Sequence, residues 1–165
     1  MTANLIIEPR RVQQKLQRMA LEIHERNSGQ NLFLAGIDKS GFEVAEMIAG
    51  YLRGFSGKDL PVYKISINKQ DPLNSEVKTD LPSGNLENAT LIIIDDVQNS
   101  GRTMMYCIRH FLQFPLRSVQ TCVLVDRLHN DFPVKSDYTG ISLSTTLQEH
   151  VTVDVNQDEV NIYMK

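Results

Sequence analysis

"LIIIDDVQNSGRT", Leu91 through Thr103, decides how the rest of the chain is read. Four branched apolar residues in succession pattern as a strand buried on both faces. They run straight into Asp95 and Asp96, two charges that are costly to bury unless something pairs with them. Asn99, Ser100 and Gly101 then form a small-residue loop, and from Arg102 to Leu112 the apolar residues Met104, Ile108 and Phe111 return at helical spacing. The stretch reads strand, acid pair, loop, helix, and a strand that only packed a core would have no use for the acids.

Working outward, the same alternation recurs. Val12, Leu16, Met19 and Ile23 mark one face of a helix from Pro9 to about Asn27, with Pro9 suited to a first helical turn. "LFLAGI" (32–37) is a short buried strand, and after a loop "GFEVAEMIAGYL" (41–52) is helical. "VYKISI" (62–67) alternates at period two, a strand with one wet face. Residues 68–88 are almost all polar, broken by Pro72, Pro82 and Gly84, and read as an arm or lid over a site, or as a plain surface hairpin. "VQTCVLVDR" (119–127) is a further strand; the tail pieces "YTGISL", "HVTVDV" and "EVNIYMK" lack intervening helices and read as an antiparallel appendage or late edge strands. Strands alternating with helices imply an α/β fold, a parallel sheet covered on both faces, in a single domain over residues 1–165.

Composition narrows the partners. With 41% hydrophobic and 22% charged residues the chain is of ordinary globular make-up, and no apolar run approaches the ~20 residues of a spanning helix. The N-terminus lacks a secretory core and cleavage site, so the expected location is the cytoplasm, without membrane association. A net charge of −3 argues against a protein whose main task is coating nucleic acid, and Arg11, Lys15 and Arg18, at helical spacing, read as a solvated face. Cys107 and Cys122 have no Cys or His at metal-ligand spacing and read as buried thiols.

In an open α/β sheet, ligands sit beyond the carboxyl ends of the strands, so Asp95 and Asp96 should face such a crevice. The helix that follows begins with unsatisfied N–H groups and a partial positive charge, Gly101 permits close approach, and Ser100 and Thr103 add hydroxyls: a phosphate cradle. Carboxylates take vicinal hydroxyls or a hydrated Mg²⁺. A sugar phosphate satisfies both halves, whereas simple helix capping would need one acid and not two. Neither the G-x-x-x-x-G-K-[ST] loop nor a G-x-G-x-x-G after a strand is present.

The stretch from Leu91 to Thr103 resembles the 5-phosphoribosyl-1-pyrophosphate (PRPP) signature of type I phosphoribosyltransferases. The resemblance runs over nearly the whole chain and narrows, through "ALEIHERN", "LAGIDKSGFEVA" and "VLVDRLHNDFPVKSDYTG" followed by "LSTT", to the pyrimidine-operon attenuators that double as uracil phosphoribosyltransferases. It implies a parallel sheet flanked by helices with a small C-terminal (hood) β region and a flexible arm. It implies a Mg²⁺-dependent transfer of ribose 5-phosphate from PRPP to a base, uracil favoured, by a homodimer or higher homo-oligomer. Asp95 and Asp96 would contact the ribose hydroxyls and reach the metal indirectly, through those hydroxyls or water. Asn99, Ser100, Gly101, Arg102 and Thr103 would hold the 5′-phosphate, and Asp38, Lys39, Ser40 and Gly41 would lie along the pyrophosphate, Lys39 as a catalytic cation. Asp126 and Arg127, with the segment after them, would border the base.

The departures from the family carry expectations too. Asp38-Lys39-Ser40-Gly41 stands where the family usually has Lys-Thr-Arg-Gly, so the arginine is lost and the acid Asp38 stands where a base stood, opposing the charge on the leaving group. The Lys39 ammonium cannot reproduce the arginine's fork, and turnover should be low. Asn99 stands where purine-using relatives often have Asp, which disfavours purines; Asn130 and Asp131 make a basic segment less so and leave RNA binding doubtful. Two rival readings follow, a PRPP- or nucleotide-sensing regulator with little turnover and an RNA attenuator. His129 lies after a strand tip, within reach of a substrate or simply on the surface; His24, His110 and His150 show no ligand spacing.

Overall fold

The computed structural model describes residues 4–156 and 159–165. Strand β1 (Asn4–Ile7) leads into helix α1 (Pro9–Arg26), β2 (Leu32–Ile37), α2 (Asp38–Ser56) and β3 (Val62–Ser66). Next come β4 (Lys78–Thr79), a 3₁₀ turn (Ser83–Asn85), β5 (Thr90–Gln98), α3 (Arg102–Phe111) and β6 (Ser118–Asp126). The chain finishes with β7 (Tyr138–Ser142), β8 (Val151–Asn156) and β9 (Glu159–Met164). Six strands form one sheet in the order β4-β3-β2-β5-β6-β7, and β1-β9-β8 form a second, antiparallel one.

Within the large sheet β2, β3, β5, β6 and β7 run parallel, and only the two-residue β4 is antiparallel. From β2 the chain crosses outward to β3, then returns to the other side of β2 as β5 and proceeds to β6. The winding direction thus reverses between β2 and β5, where α/β sheets open their ligand crevice.

The four apolar residues of the opening stretch divide by the strand's period of two. Ile92 and Ile94 join Val12, Leu16, Val44 and Ile48, under α1 and α2, while Leu91 and Ile93 join Met104, Cys107 and Phe111, under α3. The small sheet closes the first core with Val160 and Ile162. Two glycines set how closely α2 lies on the sheet. A Cβ on Gly36 would fall 2.4 Å from the Phe42 Cα, and one on Gly41 would fall 2.8 Å from the Ile94 carbonyl oxygen.

Several expectations need correction. The loop expected between β2 and the second helix is absent, because Asp38, Lys39 and Ser40 are already the first turn of α2. The arm at 68–88 is not structureless: Val77, Leu81 and Leu86 are buried in the α3-side core and β4 pairs with β3, with exposed residues between these anchors. The tail divides between its two expected forms, β7 a late edge strand of the parallel sheet and β8 and β9 an antiparallel appendage; the recruitment of β1 to this appendage is the unforeseen part. Arg18 is not merely solvated, since it pairs with Glu22 at 2.9 Å and donates to the Thr139 and Gly140 carbonyls of β7. Both cysteines are buried thiols, as expected, and burial pushes the Cys107 thiol up to about 12.

Candidate sugar-phosphate site

The crevice between β2 and β5 opens into a cavity of about 380 Å³ lined by Asp95, Gln98 through Thr103, and Lys69 and Gln70 from the arm. β5 runs three residues past Asp95, to Gln98, before the chain turns. Asn99 and Ser100 make the turn, and Gly101, at φ +81°, starts α3. A Cβ at Gly101 would meet nothing closer than 3.5 Å, so its left-handed backbone, and not crowding, calls for glycine. Ser100 Oγ accepts the Arg102 N–H at 3.3 Å, Gly101 has no side chain to cap with, and the first turn of this helix, through Thr103, lines the cavity. The cradle is braced from behind: the Ser100 carbonyl accepts the N–H groups of Asp131 and Phe132, both at 3.0 Å, and Gln98 donates to the Val134 carbonyl.

Asp95 is 4% exposed, and its Oδ1 accepts the Asp96 N–H at 3.0 Å. Burial holds its carboxyl well above the ordinary range, only partly offset by Lys69, whose Nζ lies 3.5 Å from Oδ1. Burial pulls the Lys69 ammonium down, but Asp95, Asp96 and Asp38 outweigh it and leave the group above its ordinary value. Asp38, at φ +52°, accepts the Ile67 N–H through Oδ1 and sets Oδ2 3.8 Å from the same Nζ. Asp is among the few residues that tolerate this backbone. Gly41 lies against β5, where a Cβ would be 3.3 Å from Asp95 Oδ1.

The expected residues are therefore brought together unequally. Asp95 and the 99–103 loop line one cavity, with Asp38, Ser40 and Gly41 at the start of the adjacent helix. Asp96 alternates to the other face of β5 and does not line that cavity. Lys39 is 89% exposed and pairs with Glu43 at 3.8 Å. Arg127, 7% exposed, gives its guanidinium to the Asn99 side chain, Thr145 Oγ1 and the carbonyls of Thr146 and Glu149. Asp126 accepts the N–H of Leu128, a non-glycine at φ +59°. A neighbouring hollow of about 400 Å³ shares Asn99 and Ser100 with the first and adds Arg127, Leu128, His129 and Leu147. His129 Nε2 lies 2.6 Å from the Thr145 carbonyl oxygen, an acceptor only, so that nitrogen bears the proton. Lys69, Gln98 and Leu128 were not anticipated; the one available signal for Lys69 was a cation in the polar run directly after a strand.

Residues 6–158 match the family described as the phosphoribosyl transferase domain. Among curated proteins, the bifunctional protein PyrR of Clostridium beijerinckii is 32% identical over 174 residues, covering 98% of each chain. PyrR of Bacillus pumilus is 33% identical over 179 residues, covering 98% of this chain and 97% of its own. Among solved structures, a hypoxanthine-guanine phosphoribosyltransferase from Bacillus anthracis superposes with a TM-score of 0.78 at 17% identity, over 98% of this chain and 99% of that one. The hypoxanthine phosphoribosyltransferase of Trypanosoma cruzi gives 0.75 at 15%, over 96% and 95%. At those identities the superpositions establish the shared fold.

Proposed function

Because this chain belongs to the phosphoribosyltransferase family, we propose that its β2–β5 crevice transfers the ribose 5-phosphate of PRPP to a nitrogenous base, uracil first, and releases pyrophosphate. The observation that carries this assignment is the buried Asp95 and the start of α3 lining one cavity, a hydroxyl acceptor beside an anion cradle. Asp95 and Asp96 orient the ribose, Asn99, Ser100, Gly101, Arg102 and Thr103 hold the 5′-phosphate, and Asp38, Lys39, Ser40 and Gly41 flank the pyrophosphate. Asp126 and Arg127 shape the base side from beneath. All of residues 1–165 serve as one domain in this reading.

In the reaction a ring nitrogen of the base bonds to the anomeric carbon while the bond from that carbon to the pyrophosphate oxygen breaks. The electron pair leaves with the pyrophosphate, and the nitrogen gives up its proton. Positive charge develops on the sugar ring and negative charge on the leaving group, so the work of the protein is positioning and electrostatics, with no covalent nucleophile. Asp95 and Asp96 carry hard carboxylate oxygens of the kind Mg²⁺ takes, whereas the position between Asp38 and Asp95 is filled by the Lys69 ammonium. Among the described residues no group of three or more His, Cys, Asp or Glu could hold a metal, so Asp95 and Asp96 would hold it through substrate hydroxyls or water. When bound it supplies positive charge to the pyrophosphate.

Calorimetry with PRPP and Mg²⁺ tests the assignment. Gly101→Val forces a branched residue into φ +81° and should abolish binding. Thr103→Val leaves the backbone alone and should weaken it roughly tenfold, as for a lost hydrogen bond to a charged group. Unchanged affinity in both variants would refute the assignment.

The relatives are named bifunctional, so a second activity has to be weighed. With a net charge of −3, and Asn130 and Asp131 beside the cradle, RNA affinity should be weak, since phosphate contacts dominate it. A gel shift with a pyrimidine-leader hairpin at physiological salt should show little complex; nanomolar, hairpin-specific retention would establish the attenuator role instead. The described residues contain no helix long and apolar enough to cross a membrane, and a cytoplasmic enzyme is the reading we adopt.

A further inference from the structure

Three elements meet at one ammonium. Asp38 comes from the start of α2, Asp95 from β5, and Lys69 from the arm, three residues beyond the end of β3. Its Nζ stands 3.8 Å from Asp38 Oδ2 and 3.5 Å from Asp95 Oδ1. The turn after β3 puts it there: Asn68 Oδ1 accepts the N–H groups of Gln70 at 3.1 Å and Asp71 at 3.4 Å, and this folds the chain back over the crevice. Lys69 keeps 38% of its side chain exposed, against 89% for Lys39, which leans toward Glu43. Seating a lysine this way forfeits rotamer freedom that two ion pairs at these distances repay poorly.

An ammonium has three donors: Asp95 Oδ1 takes one at 3.5 Å, and Asp38 Oδ2, at 3.8 Å, contributes as an ion pair beyond hydrogen-bonding reach. Lys69 also lines the cavity that the phosphate cradle lines, so donors of its ammonium remain for a bound substrate. A sugar held by its hydroxyls at Asp95 and by its 5′-phosphate at α3 presents its third substituent, the pyrophosphate, on the Asp38 side. Two carboxylates already stand there, and an anion can approach only if a cation is shared among the three.

We propose that Lys69 is the cation that binds the pyrophosphate of PRPP, with Asp38 as the residue that positions it. This assignment rests on the phosphoribosyltransferase reading and deepens it. As the bond to the anomeric carbon breaks, negative charge grows on the departing oxygen, and the Lys69 ammonium stabilises it while retaining its proton.

The test separates the two ends of the substrate. Affinities for PRPP, pyrophosphate and ribose 5-phosphate, each with Mg²⁺, are measured by calorimetry on the full chain and on Lys69→Met, Lys69→Arg, Asp38→Asn and the Lys69→Met/Asp38→Asn double variant. Lys69→Met should lose about tenfold or more for PRPP and pyrophosphate, as for a charge-assisted contact, and stay within about twofold for ribose 5-phosphate. Lys69→Arg should recover part of the loss. Asp38→Asn should weaken pyrophosphate binding less, and the double variant should be no worse than Lys69→Met, because a positioning residue has nothing left to position. Equal losses for pyrophosphate and ribose 5-phosphate, unchanged pyrophosphate affinity, or additive losses in the double variant would each overturn the assignment. A wild-type chain that binds neither PRPP nor ribose 5-phosphate would overturn the site itself, and this role with it.

Discussion

Asp95 shows what a binding residue costs its own protein. In the unfolded chain its carboxyl ionises near the ordinary 3.8, whereas in the fold burial raises that value and the pull of Lys69 recovers only part. The folded state therefore holds the proton more tightly. This contribution to stability is fully present below the unfolded value and is lost as pH climbs through the folded one. Asp95→Asn, which cannot ionise, should melt at a higher temperature than wild type at pH 7.5, at roughly 2–4 °C per kcal/mol gained, with the gap closing toward pH 4. Equal melting temperatures at every pH would show that the carboxylate is not penalised. Asp95 was legible because a charge pair after four apolar residues has few structural uses. Lys69, 26 residues upstream, was not, since a lone lysine in a polar run looks like any solvated one until the fold brings it to a carboxylate. With Lys69 beside it, Asp38 is not the unopposed acid that the loop sequence suggests, and the expectation of low turnover loses its main support.

Among the elements, the arm is the one whose character depends most on contacts distant in sequence. Leu86 is 1% exposed in the core beneath α3, while Leu73, in the same polar run, is 62% exposed. Leu86→Ala should destabilise by about 2–5 kcal/mol and Leu73→Ala by less than about 0.5, read from urea unfolding midpoints. Similar costs would mean that the arm is held uniformly. Single apolar residues scattered among polar ones give no periodic signal, so the anchors Val77, Leu81 and Leu86 were invisible in the sequence. Helix α1 is the opposite case: spacings of four, three and four placed it from Pro9 to about Asn27 against an observed Pro9–Arg26. The start of α2 was missed by one turn because Asp38, Lys39 and Ser40 carry no apolar residue to extend the pattern.

At the scale of the molecule, the sheet order puts the end of β2 and the end of β5 at the reversal point, so the site follows from topology as much as from side chains. The alternation of buried strands and amphipathic helices made that parallel sheet legible. The pairing of β1 with β9 was beyond reach, because two short edge segments at opposite ends of the chain share no local signal. The family resemblance points further to self-association, and light scattering at micromolar concentration should report at least a dimer; a monomer throughout would contradict it.

Arg127 carries a consequence for how such a chain can drift over generations. Its guanidinium ties the Asn99 turn to the segment at 145–149, and two of its acceptors there, on Thr146 and Glu149, are backbone carbonyls. A carbonyl is supplied by every amino acid, so substitutions at those two positions keep the tie as long as the backbone keeps its course. Insertions and deletions do not enjoy that freedom, because they move the carbonyls and with them the turn that leads into the cradle. The segment should therefore be fixed in length, with Thr146 freer in composition than Thr145, whose side-chain hydroxyl accepts from the guanidinium, or Glu149, whose carboxylate accepts the Thr146 N–H.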